Sequence, residues 1–261
     1  PLNEPVLQYA PGSSEKTELC AALEKAKAEI ADLPMFIGGK KIYTDHKINV
    51  VAPHEHQRIL GTINAGETQH VSQAIDASLK AKESWMNKSP KERATIFLKA
   101  ADLIAGPYRM KLNAATMLGQ SKNAYQAEID AACEMIDFLR FNVWYMDQIM
   151  AIQPFSPEGI KNSVEYRPLE GFVFALTPFN FTAIAGNLPF APALMGNTVV
   201  WKPAFTQAYS ANLLMEIMME AGLPDGVINL IYSDGPTSGD IIFKHPDFAG
   251  IHFTGSTGVF K

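Results

Sequence analysis

The 261 residues are 47% hydrophobic and 19% charged, which is typical of one large or two smaller globular domains. The net charge of −5 comes without any basic stripe, which argues against a nucleic-acid surface. The most apolar stretch, residues 183–201, is broken by glycine, asparagine and proline, so it predicts a buried helix–strand unit and not a membrane span. Because no cysteine–histidine cluster has ligand spacing, we expect two reduced thiols and no metal site.

The chain opens with a mixture of predicted elements. Apolar residues at helical spacing over 14–32 predict a helix that begins at a serine cap. Next, MFIGGKKIYT predicts a β-hairpin that turns at its two glycines, and KINVVAP predicts a further strand that stops at the proline. His54 and His56 follow in a polar segment, and we interpret them as surface-loop residues rather than metal ligands.

A strongly helical region follows over residues 68–150. Caps and helix breakers divide it, and its last predicted helix is a long one over 122–149. The turn-rich QPFSPEGIKNS is then interpreted as a crossing segment. VEYRPLEGFVFAL is interpreted as two strand-like runs split by Pro168 and Gly171.

From residue 171 onward, strands and helices alternate. The predicted strands cover 172–176, 197–201, 227–231 and 249–253, and the predicted helices cover about 182–195, 207–221 and 236–243, with a helix start at 256. This order predicts a parallel sheet covered by helices. The predicted fold class is α/β, with a helical N-terminal region (1–150), a crossing segment (151–170) and an incomplete doubly wound parallel-sheet domain (171–261).

Three predicted strand ends carry residues suited to chemistry, since doubly wound sheets bind ligands beyond those ends. Asn180, in TPFN, is suited to donate its amide to a developing oxyanion or to cap the next helix. Lys202, after TVVW, is suited to bind ribose hydroxyls or a phosphate, or is a surface lysine beside a turn. FTGSTG is suited to hold a pyrophosphate at a helix start, without the G-x-G-x-x-G fingerprint, or is a plain capped turn.

In this order, these motifs resemble the NAD(P)-dependent aldehyde dehydrogenases over essentially the whole chain. AEIDAACEMIDFLRFN, YRPLEGFVFALTPFNFTAI and GNLPFAPALMGNTVVWKP look like the 1-pyrroline-5-carboxylate dehydrogenase subfamily. The resemblance implies NAD-dependent oxidation of glutamate γ-semialdehyde to glutamate in proline breakdown, with NADP not excluded. It also implies a small aldehyde substrate, no nucleic-acid or membrane partner, and a parent protein that is a homodimer or larger homo-oligomer. The implied location is the cytoplasm, or the mitochondrial matrix in a eukaryote.

The same resemblance implies roles for single residues. Asn180 is the implied oxyanion donor, and Glu134 and Phe181 are implied to line the path of the aldehyde. Without the resemblance, Glu134 would be interpreted as an exposed helix carboxylate. The implied cofactor-binding residues are Thr177, Pro178, Phe179, Lys202, Pro203, Gly255 and Ser256.

The chain also departs from the family pattern. Family chemistry uses a cysteine nucleophile and a water-activating glutamate, in G-Q-x-C and E-x-G-G stretches that follow the FTGS turn. Neither stretch occurs up to Lys261. Cys20 lies in a polar predicted helix, and Glu134 beside Cys133 would raise the thiol pKa, so we assign neither cysteine as nucleophile. Phe205 stands where the family commonly has an acidic residue, which leaves NAD or NADP preference open.

We therefore expect these residues to be the N-terminal part of a longer dehydrogenase, without its catalytic domain. Alone, this part is expected to be inactive and to associate through an open sheet edge. Two alternatives stay open. One is a non-catalytic module that binds a nucleotide or a partner chain, and the other is a dehydrogenase of a different semialdehyde.

Overall fold

Over residues 1–260, which the computed structural model describes, the chain folds into two sheets covered by helices. The strands are β1 (Ala31–Leu33), β2 (Met35–Ile37), β3 (Lys40–Ile42), β4 (Lys47–Ala52), β5 (Glu55–Asn64), β6 (Phe172–Thr177), β7 (Val199–Pro203), β8 (Ile228–Leu230) and β9 (Phe248–Phe253). The helices are α1 (Ser14–Ala28), α2 (Thr68–Met86), α3 (Pro90–Ala105), α4 (Arg109–Gln120), α5 (Ala124–Ala127), α6 (Met135–Met150), α7 (Thr182–Leu194), α8 (Ala208–Ala221), α9 (Gly235–Ile242) and α10 (Thr257–Phe260). A π-helical stretch, Glu128–Glu134, lies directly before α6, and a 3-10 turn, Phe205–Gln207, lies directly before α8.

The larger sheet has the strand order β3-β2-β8-β7-β6-β9, in which β8, β7, β6 and β9 run parallel. Helices α7, α8 and α9 connect these four strands in the chain, as the alternating pattern predicts. All five residues of β7 are buried, because the strands of a parallel sheet are covered on both faces. The predicted α/β class is confirmed.

The predicted hairpin is also confirmed. Strands β2 and β3 pair antiparallel around Gly38 and Gly39, whose φ angles are +57° and +77°. Both angles lie in the left-handed region that glycine adopts without strain, as a two-residue hairpin turn requires. The hairpin joins the larger sheet, because β2 pairs antiparallel with β8 at Phe36 and Leu230. The N-terminal region thus supplies one edge of the sheet that carries the candidate site.

The smaller sheet, of order β1-β5-β4, departs from the sequence prediction. The first helix ends at Ala28 and not at residue 32, since Glu29 is extended and β1 pairs with β5. Strand β5 was not predicted, and His56 lies on it rather than in a loop. Strand β5 gains its hydrogen bonds from β4 and β1, so its stability depends on partners that a local pattern does not contain.

The predicted helical region is confirmed at α2, α3 and α4, with one departure further on. The long helix expected over 122–149 is interrupted, because residues Glu128–Glu134 are π-helical. No helix or strand lies between Met150 and Phe172, so the strand-like run at 164–167 is not a strand. Among residues 1–260, no helix combines the length and apolarity that a bilayer span requires.

A buried ionic network ties the N-terminal arm, residues 1–13, to the helices. Arg109 of α4 pairs with Glu128 and, at 2.5 Å, with Glu4 of the arm. The Tyr9 hydroxyl donates to Oε2 of Glu128 at 2.6 Å. Burial acts to raise the pKa of Glu128, but hydrogen bonds from Arg109 and Tyr9 outweigh it and hold that pKa below its usual range. Buried charges are tolerated when they are paired in this way.

Candidate active site

The predicted site segments meet at the carboxyl ends of three neighbouring strands. Leu176 of β6 lies opposite Lys202 of β7 and, on its other side, opposite Phe253 of β9. One residue further on, Thr177 pairs with Pro203. The loop after β6, the lysine of β7 and the turn after β9 therefore lie side by side, at the edge where doubly wound sheets bind ligands.

The loop after β6 starts buried and becomes exposed. Thr177 is buried, and its hydroxyl accepts a hydrogen bond from Nε1 of Trp201 at 3.0 Å. Pro178 is half-buried, whereas Phe179 is 63% exposed. Thr177 thus joins β6 to β7, and the part of the loop that faces outward begins at Phe179.

Asn180 does not cap the following helix. Helix α7 begins at Thr182, and no side chain of its own segment caps it. Its first N–H groups instead donate to Asp130, from Thr182 N at 3.2 Å and from Ala183 N at 3.1 Å. The exposed amide of Asn180 makes no hydrogen bond to any described residue, so it is available to a ligand. The capping interpretation is wrong because the π-helical stretch brings a carboxylate to that position.

A salt bridge lies beside this loop. The Lys122 ammonium lies 2.5 Å from Oδ2 of Asp130. The same ammonium lies 3.9 Å from the centre of the Phe181 ring, which is 37% exposed. Sequence reasoning missed Lys122 and Asp130. They are eight residues apart, and Lys122 lies before α5 whereas Asp130 lies in the π-helical stretch, so they do not form the i,i+3 or i,i+4 pair by which a sequence pattern predicts a salt bridge.

Glu134 is the last residue of the π-helical stretch and is half-buried. Burial raises the pKa of its carboxyl, the charge of Asp130 raises it further, and Lys122 opposes both. Glu134 is therefore not the exposed helix carboxylate that its local pattern favours. Its carboxyl is more easily protonated than a carboxyl on the surface.

Lys202 is buried, with 9% of its surface exposed, so its interpretation as a surface lysine is wrong. Burial lowers the pKa of the ammonium, and the charge of Asp234 offsets only part of that effect. Within residues 1–260 the ammonium has no hydrogen-bond acceptor, and it lies 5.6 Å from the centre of the Phe205 ring. A buried cation without acceptors is costly, so this position favours a ligand rich in oxygen.

A cavity of about 290 Å³ opens beside Lys202. Its walls include Leu176 and Phe253 at the strand ends, and Gly235 and Gly239 of α9. A Cβ atom at Gly235 would meet nothing within 4 Å, so the helix leaves open space there. Sequence reasoning missed α9 as a cavity wall. The available signal was DGPTSG, an aspartate cap followed by Gly-Pro shortly after strand β8.

The turn after β9 carries Gly255 and Ser256, both exposed. A Cβ atom at Gly255 would lie 2.6 Å from the Phe253 ring, so a larger residue would displace that cavity wall. The carbonyl of Ser256 accepts hydrogen bonds from the N–H groups of Val259 and Phe260 at 3.1 and 3.2 Å. The helix start expected at 256 lies at Thr257.

Neither cysteine has the environment of a nucleophile. Burial and the neighbouring Glu128 raise the pKa of Cys133 to about 12, so the charge responsible is not that of Glu134. Cys20 lies exposed on α1, a helix that contributes no residue to the candidate site. Within the described part of the chain, no group of three or more histidine, cysteine, aspartate or glutamate side chains could hold a metal ion.

The chain is similar to several proteins that share one enzyme name. It is 50% identical over 264 residues to a "Delta-1-pyrroline-5-carboxylate dehydrogenase" of Agaricus bisporus, covering 99% of this chain and 48% of that protein. A human protein named "Delta-1-pyrroline-5-carboxylate dehydrogenase, mitochondrial" is 44% identical over 259 residues, with 99% and 46% covered. The crystal structure of the Mycobacterium tuberculosis Delta-pyrroline-5-carboxylate dehydrogenase bound with NAD has a TM-score of 0.98 at 54% identity, with 100% and 49% covered. The chain spans about half the length of the curated relatives it matches.

A family model tests the same resemblance over defined residues. The model described as "Aldehyde dehydrogenase family" matches residues 42–261. The match begins at the last residue of β3 and includes strands β4 and β5, the whole helical region and all four parallel strands that carry the candidate site. The chain therefore belongs to the aldehyde dehydrogenase family.

Proposed function

We propose that these residues form the cofactor-binding half of an NAD-dependent dehydrogenase that oxidises glutamate γ-semialdehyde to glutamate. One observation carries the proposal: the exposed Asn180 amide follows β6, the buried Lys202 ammonium lies at the carboxyl end of the adjacent strand β7, and neither group has a hydrogen-bond partner among residues 1–260. The names of the relatives support the substrate, and the NAD-bound M. tuberculosis structure supports the cofactor.

The residues at the strand ends fit a dinucleotide. Lys202 supplies a cation suited to ribose hydroxyl or phosphate oxygens, and Gly235 and Gly239 leave room in the adjoining cavity. Gly255 and Ser256, with Thr177, Pro178, Phe179 and Pro203, complete the proposed cofactor-binding set. When bound, NAD supplies the hydride acceptor of the reaction.

Asn180 is the proposed catalytic residue of this half. When a nucleophile adds to an aldehyde, the carbonyl oxygen becomes negative, and a fixed amide N–H stabilises that charge. Removing one such donor typically costs about 3–4 kcal/mol of transition-state stabilisation. Phe181 and Glu134 are proposed to line the path of the aldehyde. Because neither cysteine here suits the role, we assign the nucleophile to a part of the protein outside these 261 residues.

We further propose that three regions of the chain have separate roles. Residues 171–261 hold the cofactor, and residues 1–150 cover and extend that sheet. The exposed apolar side chains Ile152, Phe155 and Ile160 support a role for 151–170 in self-association of the whole protein.

The test uses the protein at its native length. We expect it to bind NAD by titration calorimetry and to oxidise glutamate γ-semialdehyde in preference to succinate semialdehyde. Asn180→Ala is expected to lower kcat by about 100- to 1000-fold, because it removes one oxyanion donor, and to leave NAD affinity unchanged. Preference for another semialdehyde would refute the substrate. NAD binding with no oxidation of any aldehyde would favour a nucleotide-binding module.

A further inference from the structure

A salt bridge to which the proposed function assigns no role holds the start of α7. The side chains of Lys122 and Asp130 are only 15% and 3% exposed, and their charged groups are 2.5 Å apart. The two carboxylate oxygens of Asp130 accept hydrogen bonds from the N–H groups of Thr182 and Ala183. Since α7 has no side-chain cap of its own, this carboxylate occupies the place of one.

The same ammonium also contacts the residue before the helix. Nζ of Lys122 lies 3.9 Å from the centre of the Phe181 ring, within the range of a cation–π interaction. Phe181 is the residue between Asn180 and the first helical residue, Thr182. Lys122 therefore contacts Phe181, which follows Asn180 directly. Through Asp130 it also acts on the first N–H groups of α7.

We propose that Lys122 is a positioning residue that, through Asp130 and Phe181, sets where the Asn180 amide meets the aldehyde oxygen. The inference rests on the proposed function, since it has consequences only if Asn180 stabilises an oxyanion. Burial of the Asp130 carboxylate is costly unless a cation and hydrogen-bond donors compensate it, and the Lys122 ammonium supplies that cation while the N–H groups of Thr182 and Ala183 supply the donors. Interruption of a helix by a π-helical stretch, as here, is frequent at functional sites.

The rest of α7 is anchored without Lys122. The Thr182 hydroxyl is 2.8 Å from that of Thr116 and donates to Ser210 at 3.2 Å, and it accepts from Gln120 at 2.6 Å. These contacts join α7 to α4 and α8. Removal of the Lys122 charge is therefore expected to loosen the first turn of α7 and the Asn180 loop, and to leave the helix in place.

The experiment compares Lys122→Met and Lys122→Arg in the protein at its native length. We expect Lys122→Met to lower kcat between about 10- and 100-fold, the effect of misplacing a reacting group by about 1 Å. The KM for NAD is expected to stay unchanged. Lys122→Arg is expected to recover most of kcat, because a guanidinium also pairs with a carboxylate and stacks on a ring.

Lys41→Met is the matched control. Lys41 also pairs with a carboxylate, that of Glu216 at 2.9 Å, and lies 5.6 Å from an aromatic ring centre, that of Phe36. It belongs to the hairpin and not to the α7 region, so its removal is expected to leave kcat unchanged. Lys122→Gln, which keeps a donor for Asp130 but no charge, replaces Lys122→Met if methionine prevents folding, and is also expected to lower kcat.

Amide hydrogen exchange gives a readout that does not depend on activity. The N–H groups of Thr182 and Ala183 are expected to exchange faster in Lys122→Met than in wild type or in Lys41→Met. Unchanged kcat, or a lower kcat with unchanged exchange at these two amides, would overturn the inference. Failure of the proposed function is distinguishable, because the wild-type protein itself would then oxidise no aldehyde.

Discussion

The Lys202 ammonium lies 5.6 Å from the centre of the Phe205 ring, in the wall of the cavity beside α9. Burial lowers the pKa of this ammonium, and Asp234 offsets only part of that effect. A buried cation that lacks hydrogen-bond acceptors destabilises the unliganded fold, but it is preorganised for a ligand that supplies oxygen atoms. This relationship leads to predictions about both ligand binding and stability.

Lys202→Met is expected to have opposite effects on binding and folding. NAD binding should weaken about 10- to 100-fold, because a hydrogen bond to a charged group contributes roughly 1.5–3 kcal/mol. The free energy of unfolding of the unliganded protein should rise, because methionine has a similar volume and no charge to desolvate. Calorimetric titration and denaturant unfolding measure the two effects. Equal NAD affinity in the variant and wild type would contradict the prediction.

The stability difference between Lys202→Met and wild type is expected to depend on pH. Between the lowered pKa of Lys202 in the folded protein and its ordinary value of 10.5, the unfolded chain holds a proton that the folded chain has released. The free energy of unfolding of wild type therefore rises with pH in this window. The amount by which the free energy of unfolding of Lys202→Met exceeds that of wild type becomes smaller as a result. Below the window the full difference is present. A difference that stays constant up to pH 10.5 would show that the ammonium is not desolvated.

Phe205→Asp is expected to change the choice of cofactor. A carboxylate beside Lys202 would repel the 2′-phosphate of NADP and accept hydrogen bonds from the ribose hydroxyls of NAD. NADP affinity should therefore fall about 10-fold or more, since like charges placed together cost more than 1.4 kcal/mol. NAD affinity should hold or improve. Phe205→Leu is the control for the loss of the ring, and an equal loss of both affinities in Phe205→Asp would refute the electrostatic explanation.

Arg109→Met is expected to destabilise the fold by about 3–5 kcal/mol, because it leaves the fully buried Glu128 without its cation. Denaturant unfolding measures the loss. Arg167→Met is the control, since Arg167 forms only an exposed pair with Glu170, and it should have no measurable effect. A small effect of Arg109→Met would mean that the hydrogen bonds from Tyr9, Asn113 and Leu7 satisfy the carboxylate by themselves.

Alanine substitutions at two helical glycines are expected to change the free energy of unfolding in opposite directions. A Cβ atom at Gly186 of α7 would lie 2.6 Å from Sδ of Met135, so Gly186→Ala should cost about 1–3 kcal/mol through overpacking. A Cβ atom at Gly119 of α4 would meet nothing within 4 Å. Gly119→Ala should therefore stabilise the protein by about 0.5–1 kcal/mol, the difference in helix propensity. Unfolding curves of both variants test the pair, and the same sign for both would contradict it.

Local sequence patterns predict much of the fold. The glycine pair of the hairpin, the caps that divide the helical region and the strand–helix alternation after residue 171 each predict elements that the structure confirms. These signals work because turn geometry, capping and periodic burial act over a few residues. The same patterns lead to the strand ends that carry Asn180, Lys202 and Gly255, because parallel topology follows from the order of elements.

The tertiary structure alone decided what surrounds those residues. Strand β5 exists because β1 and β4 flank it, and the join of β2 to β8 carries the hairpin into the larger sheet. Asp130 rather than Asn180 caps α7, and Lys202 is buried although a lysine before a proline resembles a surface residue. Each depends on contacts between residues far apart in the chain. Burial and the charges of such neighbours set hydrogen bonds and pKa values, and no local pattern contains them.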